Sequence, residues 1–597
     1  NAGASHGRSG SWLLDPTDYT IDSTAAANIA HSLNNGTDVT ITTSASGPDN
    51  GDITVANAVS WTSGNSLTLK ADNDINVNNT ITSTGSGNVV LRADSDANSS
   101  GTVSFGTSGK VVTDGTVSVY YNPVSYTDST NSSLVWNWST DESGWVLKST
   151  GINPYQAKVT GNLTAYMLVN NVHDLQAISG NLSGVYALGK DIDATETGNW
   201  NNGAGFTPLG RDEFSSYFSG ILDGDGHAIS GLHIKNSGVV GLFGFVTNGM
   251  IRNLGLENVD ITGEANSWTG ALAGELASNG VITNAYVTGT VTGSGNGTGG
   301  LVGFNCGGTI ADSYSSGVVT GDSAYTGGLV GRNLYATISG SYNRGLVTNI
   351  HSGAYTGGLA GFNQGGTITD SYSTGTVSDN GGGAYTGGLV GYDNEGGTIR
   401  GSYSAGKVTG NGSNIGGFLG GTDYADGITT SYWDSDRSGQ QNGSGDGNSL
   451  AGLTKLSAAE KDPYSQSSYS SFNFGTTWFM IDGATHPFLR SEYSKIITND
   501  HQLQLMAMDL NATYTLATDL DLTGFDMTRD GGFVPISASS ASAFTGSLDG
   551  QGHVISNLTI TGASTDAAGL FGYIGQSGSV SNIDLYDVNV AGAANNV

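Results

Sequence analysis

Cysteine is almost missing from this chain: Cys306 stands alone among 597 residues. One thiol excludes an intramolecular disulfide framework, so backbone ladders and a stacked core must supply the stability. Cys306 fills a turn position held by Gln364 and Glu395 in sister repeats, which marks it as incidental. Positive charge is scarce as well. The 20 Lys+Arg are outnumbered by 51 Asp+Glu, a net charge of −31. Such a surface repels nucleic acid, whose binding depends on neutralising phosphates, and it disfavours anionic membranes. Charged residues make up only 12% of the chain, unlike a charge-rich disordered sequence. No stretch reaches the ~18 continuous apolar residues of a membrane span, so no membrane insertion is expected. Asn1 opens no signal-peptide pattern; a removed leader, or a section of a longer extracellular protein, is the expectation.

Glycine is what the chain has in excess, 95 residues or roughly twice the usual share. The glycines keep fixed places in one sentence written seven times between Gly241 and Trp433. Its clearest copies are GGLVGFNCGGTIADSYSSGVV, GGLVGRNLYATISGSYNRGLV, GGLAGFNQGGTITDSYSTGTV and GGLVGYDNEGGTIRGSYSAGKV. Gly300, Gly328, Gly358 and Gly388 lie 28, 30 and 30 residues apart. A period of this length belongs to a stacked array. Three apolar rows run through the copies: Leu301, Leu329, Leu359 and Leu389; Ile310, Ile338, Ile368 and Ile399; Val319, Val347, Val377 and Val408. Three rows separated by turns predict a triangular coil, each strand pairing with its equivalent ~4.8 Å away in the next coil. The fold class expected is all-β: a right-handed parallel β-helix with coils of about 28–31 residues and short helical or hairpin insertions. One detail conflicts with simple alternation: Leu301 and Val302 are adjacent, yet both are apolar. Either Gly303 bends the strand or Val302 lies under a covering segment.

Residues 1–150 lack the long sentence but alternate as short strands, for example 38–42 (DVTIT), 66–70 (SLTLK) and 116–120 (TVSVY), at roughly ten-residue steps. A narrower solenoid is favoured over a sandwich. Residues 151–435 form the repeat module. Residues 436–494 break the rhythm as an irregular connector, with a helix predicted over 453–461 (LTKLSAAEK). From 495 a second module starts: His173, Leu175, Gln176, Tyr186, Leu188, Asp191 and Asp193 recur as His501, Leu503, Gln504, Tyr514, Leu516, Asp519 and Asp521, each at an offset of 328. Short helices are expected at 173–178 and 501–506.

The repeated sentence resembles the GLUG motif of large bacterial surface proteins. Residues 9–21, 66–81 and 117–128 (SGSWLLDPTDYTI, SLTLKADNDINVNNTI, VSVYYNPVSYTD) are similar to filamentous-haemagglutinin-type exoproteins of Gram-negative bacteria. That resemblance implies an extracellular, cell-surface β-helical passenger, exported through an outer-membrane partner by two-partner secretion and used in adhesion. GLUG repeats also occur beside metalloprotease domains, which need a His-Glu-x-x-His zinc helix. None of the nine histidines is followed by glutamate.

Candidate sites are few. Tyr325, Tyr355 and Tyr385 recur in AYTGGL, one per coil, and a stripe of rings at coil spacing fits a sugar or a partner's surface; self-stacking is the structural alternative. Tyr314, Tyr342, Tyr372, Tyr403 and Tyr432 form a second row, read as stabilising. Trp136 and Trp138, with Trp145, fall in a segment (SLVWNWSTDESGW) that reads as a protruding hairpin, either a clamp or a binding patch. Asp191/Asp193 and Asp519/Asp521, two apart on a strand, are candidates for calcium, which takes six to eight oxygens; the alternative is bonding to turn amides. The DGDGH and DGQGH segments at Asp223 and Asp549 read as corners. No convergent carboxylate pair of a glycosidase is evident. The expectation is therefore an adhesive stalk or fibre section, not an enzyme and with no cofactor. Its partner would be a host or neighbouring-cell glycan or protein, and end-to-end or lateral self-association is open. A carbohydrate-active β-helix enzyme and a self-assembling filament are the alternatives.

Overall fold

The computed structural model describes residues 10–14, 16–45, 49–127, 134–138, 145–149, 153–211, 216–529, 531–537, 539–563 and 568–592. The fold is nearly all β, a parallel β-solenoid of right-handed type with about 18 turns and few helices. Two compact units comprise Asn1–Thr309 and Ile310–Val597.

In the first unit, Val39, Leu67, Val89 and Val117 stand one above another in parallel register. A second wall stacks Ile53, Ile75 and Val103. The ten-residue rhythm of this region is thus the spacing of strands within a coil. One element was not legible as strand or turn. Ser23–Asn34 is a helix, capped where the Asp22 carboxylate accepts from the Thr24 and Ala25 amides, and it buries Ala26, Ile29 and Leu33. The hairpin is present, Leu134–Trp138 pairing antiparallel with Trp145–Ser149.

The second unit shows the repeat at its most regular. Tyr325–Gly327, Tyr355–Gly357, Tyr385–Gly387 and Asn414–Gly416 stack as one wall. Val330–Leu334, Ala360–Gln364, Val390–Asn394 and Leu419–Thr422 make the next. The third combines three short strands per coil, as in Thr337–Ser339, Tyr342–Asn343 and Val347–Asn349. The three apolar rows are buried throughout, but they do not mark three walls. The isoleucine and valine rows share the third wall, and the leucines sit at the corner between the first two. That corner resolves the Leu-Val conflict. The chain bends through Gly328 and Leu329 before the strand begins at Val330, so neighbouring side chains both turn inward. The paired glycines exist for room: a Cβ on Gly358 would lie 2.1 Å from the Gly388 carbonyl oxygen.

Polar columns line the same interior. Ser313, Ser341, Ser371 and Ser402 each donate their backbone N–H to the Oγ of the equivalent serine in the next coil, ending on Ser431, at 3.2–3.4 Å. Each Oγ in turn donates to a carbonyl two residues back, for example Ser371 to Thr369 at 2.7 Å. This column replaces the backbone ladder at a corner that Asp312, Gly340, Asp370 and Gly401 turn with positive φ. Aspartate and glycine alternate there because a Cβ on Gly340 would meet the Asp312 carboxylate at 2.5 Å. Another column runs from the Asn333 amide to Asn363 (2.8 Å) and from the Asn363 amide to Asp393 (2.6 Å). Asp393 is fully buried, and that burial pushes its carboxyl up to about 7.

After the last repeat strand, Ser431–Asp434, the expected helix at 453–461 is replaced by a strand. Leu453–Leu456 pairs in register with Ser431–Asp434, and Ser457 bridges to Lys461 in a tight turn. An open strand edge offers a whole row of backbone partners, which outweighs a modest helix propensity. The predicted helices at the module starts are present as Val172–Ala177 and Asp500–Leu505. The duplicated residues do the same work in each unit. Gln176 clamps Thr207 through both backbone groups, and Gln504 clamps Val534 likewise. Tyr186 donates to the Asn181 carbonyl and Tyr514 to that of Asp509.

Two outcomes are expected. Ser371→Ala strips the Ser341 N–H of its acceptor and costs about 1–3 kcal/mol in chemical unfolding, whereas exposed Thr376→Ala stays within about 0.5 kcal/mol. Asp393 carries a raised pKa, so its favourable contribution is complete below pH ~4 and is lost as pH rises through 7. Asp393→Asn should therefore stabilise the fold above pH 7, on the order of 1–3 kcal/mol, and make no difference near pH 4.

Candidate functional site

The AYTGGL tyrosines do not stand alone. Their wall meets the next at the Gly-Leu corner, and the outward residue after the following glycine is Arg332, Phe362 or Tyr392. The two columns interleave. Tyr325 and Tyr355 lie 5.7 Å apart with planes 11° from parallel, and Tyr355 and Tyr385 repeat this at 5.7 Å and 10°. Phe362 packs 5.2 Å from both Tyr325 and Tyr355, and Tyr392 lies 4.4 Å from Tyr385. The Arg332 guanidinium closes one end, 5.4 Å from the Tyr325 centroid. The result is an aromatic zipper on the outer surface, in which the tyrosines are half-buried and Phe362 is buried between them. In the first unit Trp268 and Phe304 make the same kind of contact at 4.5 Å and 21°. Reading only the tyrosines missed the second column. Its signal was available: Phe304, Arg332, Phe362 and Tyr392 all follow the glycine of the Gly-Leu-Val/Ala-Gly stretch.

Parallel stacking determines what the zipper offers. Ring faces look at neighbouring rings, so edges and phenol hydroxyls are left for a partner. A ring edge carries the positive end of the quadrupole. Burial beside Tyr325 and Tyr385 raises the Tyr355 phenol above its ordinary value, so it stays a hydrogen-bond donor at neutral pH. On the adjoining turn the exposed Tyr335 hydroxyl donates to Glu395 at 2.6 Å, which holds that carboxyl below its usual value.

The other tyrosine row is a different object. Tyr314, Tyr342, Tyr372 and Tyr403 stack at 4.7–5.0 Å with planes within 6°. Tyr342, Tyr372 and Tyr403 are buried, beneath residues of the connector and second lead-in that include Phe472, Trp478 and Phe488. Tyr372 donates to Glu492 and Tyr403 to the Pro487 carbonyl, while Arg344 pairs with Asp500.

The side chains of Trp136 and Trp138 lie outside the described residues. The aspartate pairs hold corners. Asp191 Oδ1 accepts from the Ala228 amide (2.9 Å) and faces His227 Nδ1 (3.1 Å). Asp519 repeats this with Val554 and His553 at 2.9 and 3.0 Å. Asp521 accepts from the Asn557 side-chain amide at 2.7 Å, and Asp193 and Asp521 each accept from a backbone amide two residues on. These donors lower the pKa of all four carboxyls, and a calcium ion would compete with them for the same oxygens. The structure thus joins Asp191 to the DGDGH histidine, which sequence reading kept apart. Asp223 and Asp225 of that segment are committed to Arg252 and Arg92. Among the described residues no three His, Cys, Asp or Glu side chains converge as metal ligands.

Residues 352–378 match the GLUG motif, and residues 161–289 match the family described as M26 IgA1-specific metallo-endopeptidase N-terminal region. Halomucin of Haloquadratum walsbyi is 43% identical over 144 residues, 23% of this chain and 2% of halomucin. The immunoglobulin A1 protease of Streptococcus sanguinis is 35% identical over 128 residues, 21% of this chain and 6% of that protein. The chain therefore spans only a small part of the curated relatives it matches. A putative immunoglobulin A1 protease from Bacteroides ovatus overlaps 55% of this chain and 92% of its own, with 20% identity and a TM-score of 0.39. A structure described as IgA1 Protease overlaps 66% of this chain and 31% of its own, with 19% identity and a TM-score of 0.37. These matches correct one expectation. The missing zinc motif and carboxylate pair pointed to a non-enzyme, yet residues 161–289 match a region of a metallo-endopeptidase family and 128 residues match an immunoglobulin A1 protease. The matched family region is an N-terminal part, where a missing zinc motif does not mark a protein as non-enzymatic.

A double-mutant cycle on Tyr355→Ala and Phe362→Ala tests the zipper. Coupling of about 1 kcal/mol is expected from unfolding curves, and additive effects would mean that the two columns do not support each other.

Proposed function

We propose that this chain is an extracellular β-solenoid section of a large surface protein related to the IgA1 metallo-endopeptidases. It gives reach and presents the zipper edge of Tyr325, Tyr355, Tyr385 and Tyr392, packed on the buried Phe362, to a glycan or protein on a host or neighbouring cell. One observation carries this reading. In the second unit the solenoid buries one tyrosine row beneath its own chain and leaves the other half-buried on the outside. Rigid aromatic surface with polar tips is what interfaces use for contact at low entropic cost. The edge-on geometry favours a partner lying across the ring edges over a sugar stacked on one face.

Extracellular placement is supported by the kinds of relatives matched, a halomucin and an immunoglobulin A1 protease. Export through an outer-membrane two-partner system belongs to the same proposal and rests on the resemblance of residues 9–21, 66–81 and 117–128 to filamentous-haemagglutinin-type passengers. The acidic balance of 51 Asp+Glu to 20 Lys+Arg favours partners that bring positive charge or none.

Binding of the purified chain to a glycan array and to intact cells, repeated after protease treatment of the cells, tests the reading and separates glycan from protein. The triple variant Tyr325→Ala/Tyr355→Ala/Tyr385→Ala should lose at least tenfold in affinity while keeping its β-sheet circular dichroism. Unchanged binding by the folded variant would remove the zipper from consideration.

A further inference from the structure

We propose that His486 latches the joint between the last repeat strand, the connector and the second lead-in, and that acid releases this latch to uncover the buried tyrosine ladder. His486 is fully buried. Its Nε2 lies 3.1 Å from Asp434 Oδ2, at the end of the last repeat strand. Its backbone N–H donates to the Met527 carbonyl in the lead-in at 2.8 Å. The ring packs between Tyr403, at the end of the ladder (6.2 Å, 7°), and Tyr464 of the connector (4.4 Å). Three segments distant in sequence therefore meet on one imidazole.

The neutral ring fits this place and the charged ring does not. With its proton on Nε2, His486 donates to Asp434 and leaves a bare lone pair on Nδ1, which has no partner. A second proton would put a charged N–H donor there with nothing to receive it, which opposes protonation of the closed joint. It would also add a cation to a site that already holds Arg437. The charged groups facing the ring come from each element packed on it. Asp434 belongs to the repeat end, Arg437 and the Tyr464 phenol to the connector, and Asp526 to the lead-in. Arg437 is committed to Asp526, donating to its carbonyl and lying 3.7 Å from its carboxylate. Asp434 Oδ1 caps the following turn by accepting from the Asp436 and Arg437 amides. The same interface buries a second histidine: His501 faces Glu492 at 2.6 Å, stacks 5.6 Å from Tyr342 and has no partner for Nε2.

Burial first, and Arg437 next, lower the His486 pKa despite the bond to Asp434. A lowered value means that the opened joint binds more protons than the closed one. The closed joint keeps full stability above pH ~6.5 and loses it as pH falls below that. Asp526, raised by burial, acts in the opposite sense, and a variant of His486 alone separates the two contributions.

Amide hydrogen exchange of the whole chain at pH 7.5, 6.5 and 5.5, corrected for intrinsic rates, reads the joint at residues 402–405, 431–434 and 484–488. The open population should rise by up to tenfold per pH unit below ~6.5. His486→Gln, which keeps a donor to Asp434 and cannot be charged, should flatten that rise. Equal protection of the wild type at pH 7.5 and 5.5, or an unchanged rise in the variant, overturns the proposal. Should the variant not fold, the wild-type ring resonances of His486 decide: titration clearly below 6.5 supports the latch, and titration at or above 6.5 overturns it.

Discussion

In-register stacking is the constraint on which the rest of this structure depends. A parallel coil places each residue above its equivalent, so every sequence position becomes a column and is tested against itself. Apolar columns close the core at no polar cost. A polar column survives only if its members satisfy one another, because an unpaired buried polar group is expensive. The serine column does this by handing a backbone N–H to the Oγ of the next coil, and the asparagine column by amide-to-oxygen bonds along its length. Asp393 departs from the column it sits in, and its raised carboxyl is the physical sign of that departure.

The same rule yields two aromatic ladders with opposite fates. Both stack ring on ring, so both stiffen the coil. What separates them is what lies outside. The Ser-Tyr row has become an internal seam in the second unit, because the connector and second lead-in lie across it with Trp478, Phe488 and His501. The AYTGGL row, zippered to Phe362 and Tyr392, keeps its outer edge. A repeat protein builds a long flat surface cheaply, since one substitution pattern copied along the coils becomes a stripe.

Much of this architecture was open to reading from the chain alone. The period, the glycine pairs and the three apolar rows specify a coil that stacks, and the 328-residue offset specifies a module that begins again. The short helices at 173–178 and 501–506 were legible because their hydrophobic spacing recurs twice. The helix at Ser23–Asn34 was not, since its alanine-rich stretch lies among strand-like segments and makes a weak pattern. Residues 453–461 misled because propensity is local, whereas the free edge of Ser431–Asp434 is not.

The candidate site divides in the same way. One tyrosine column was visible as a repeat, but its pairing with Phe362 and Tyr392 depends on a corner that brings two walls together. Equal spacing in sequence also made the two tyrosine rows look alike. Periodicity alone determines which residues share a column, because stacking repeats a local rule. Whether a column faces core, solvent or a covering segment depends on corners and on chain folded back from far away, and only the tertiary structure decides that.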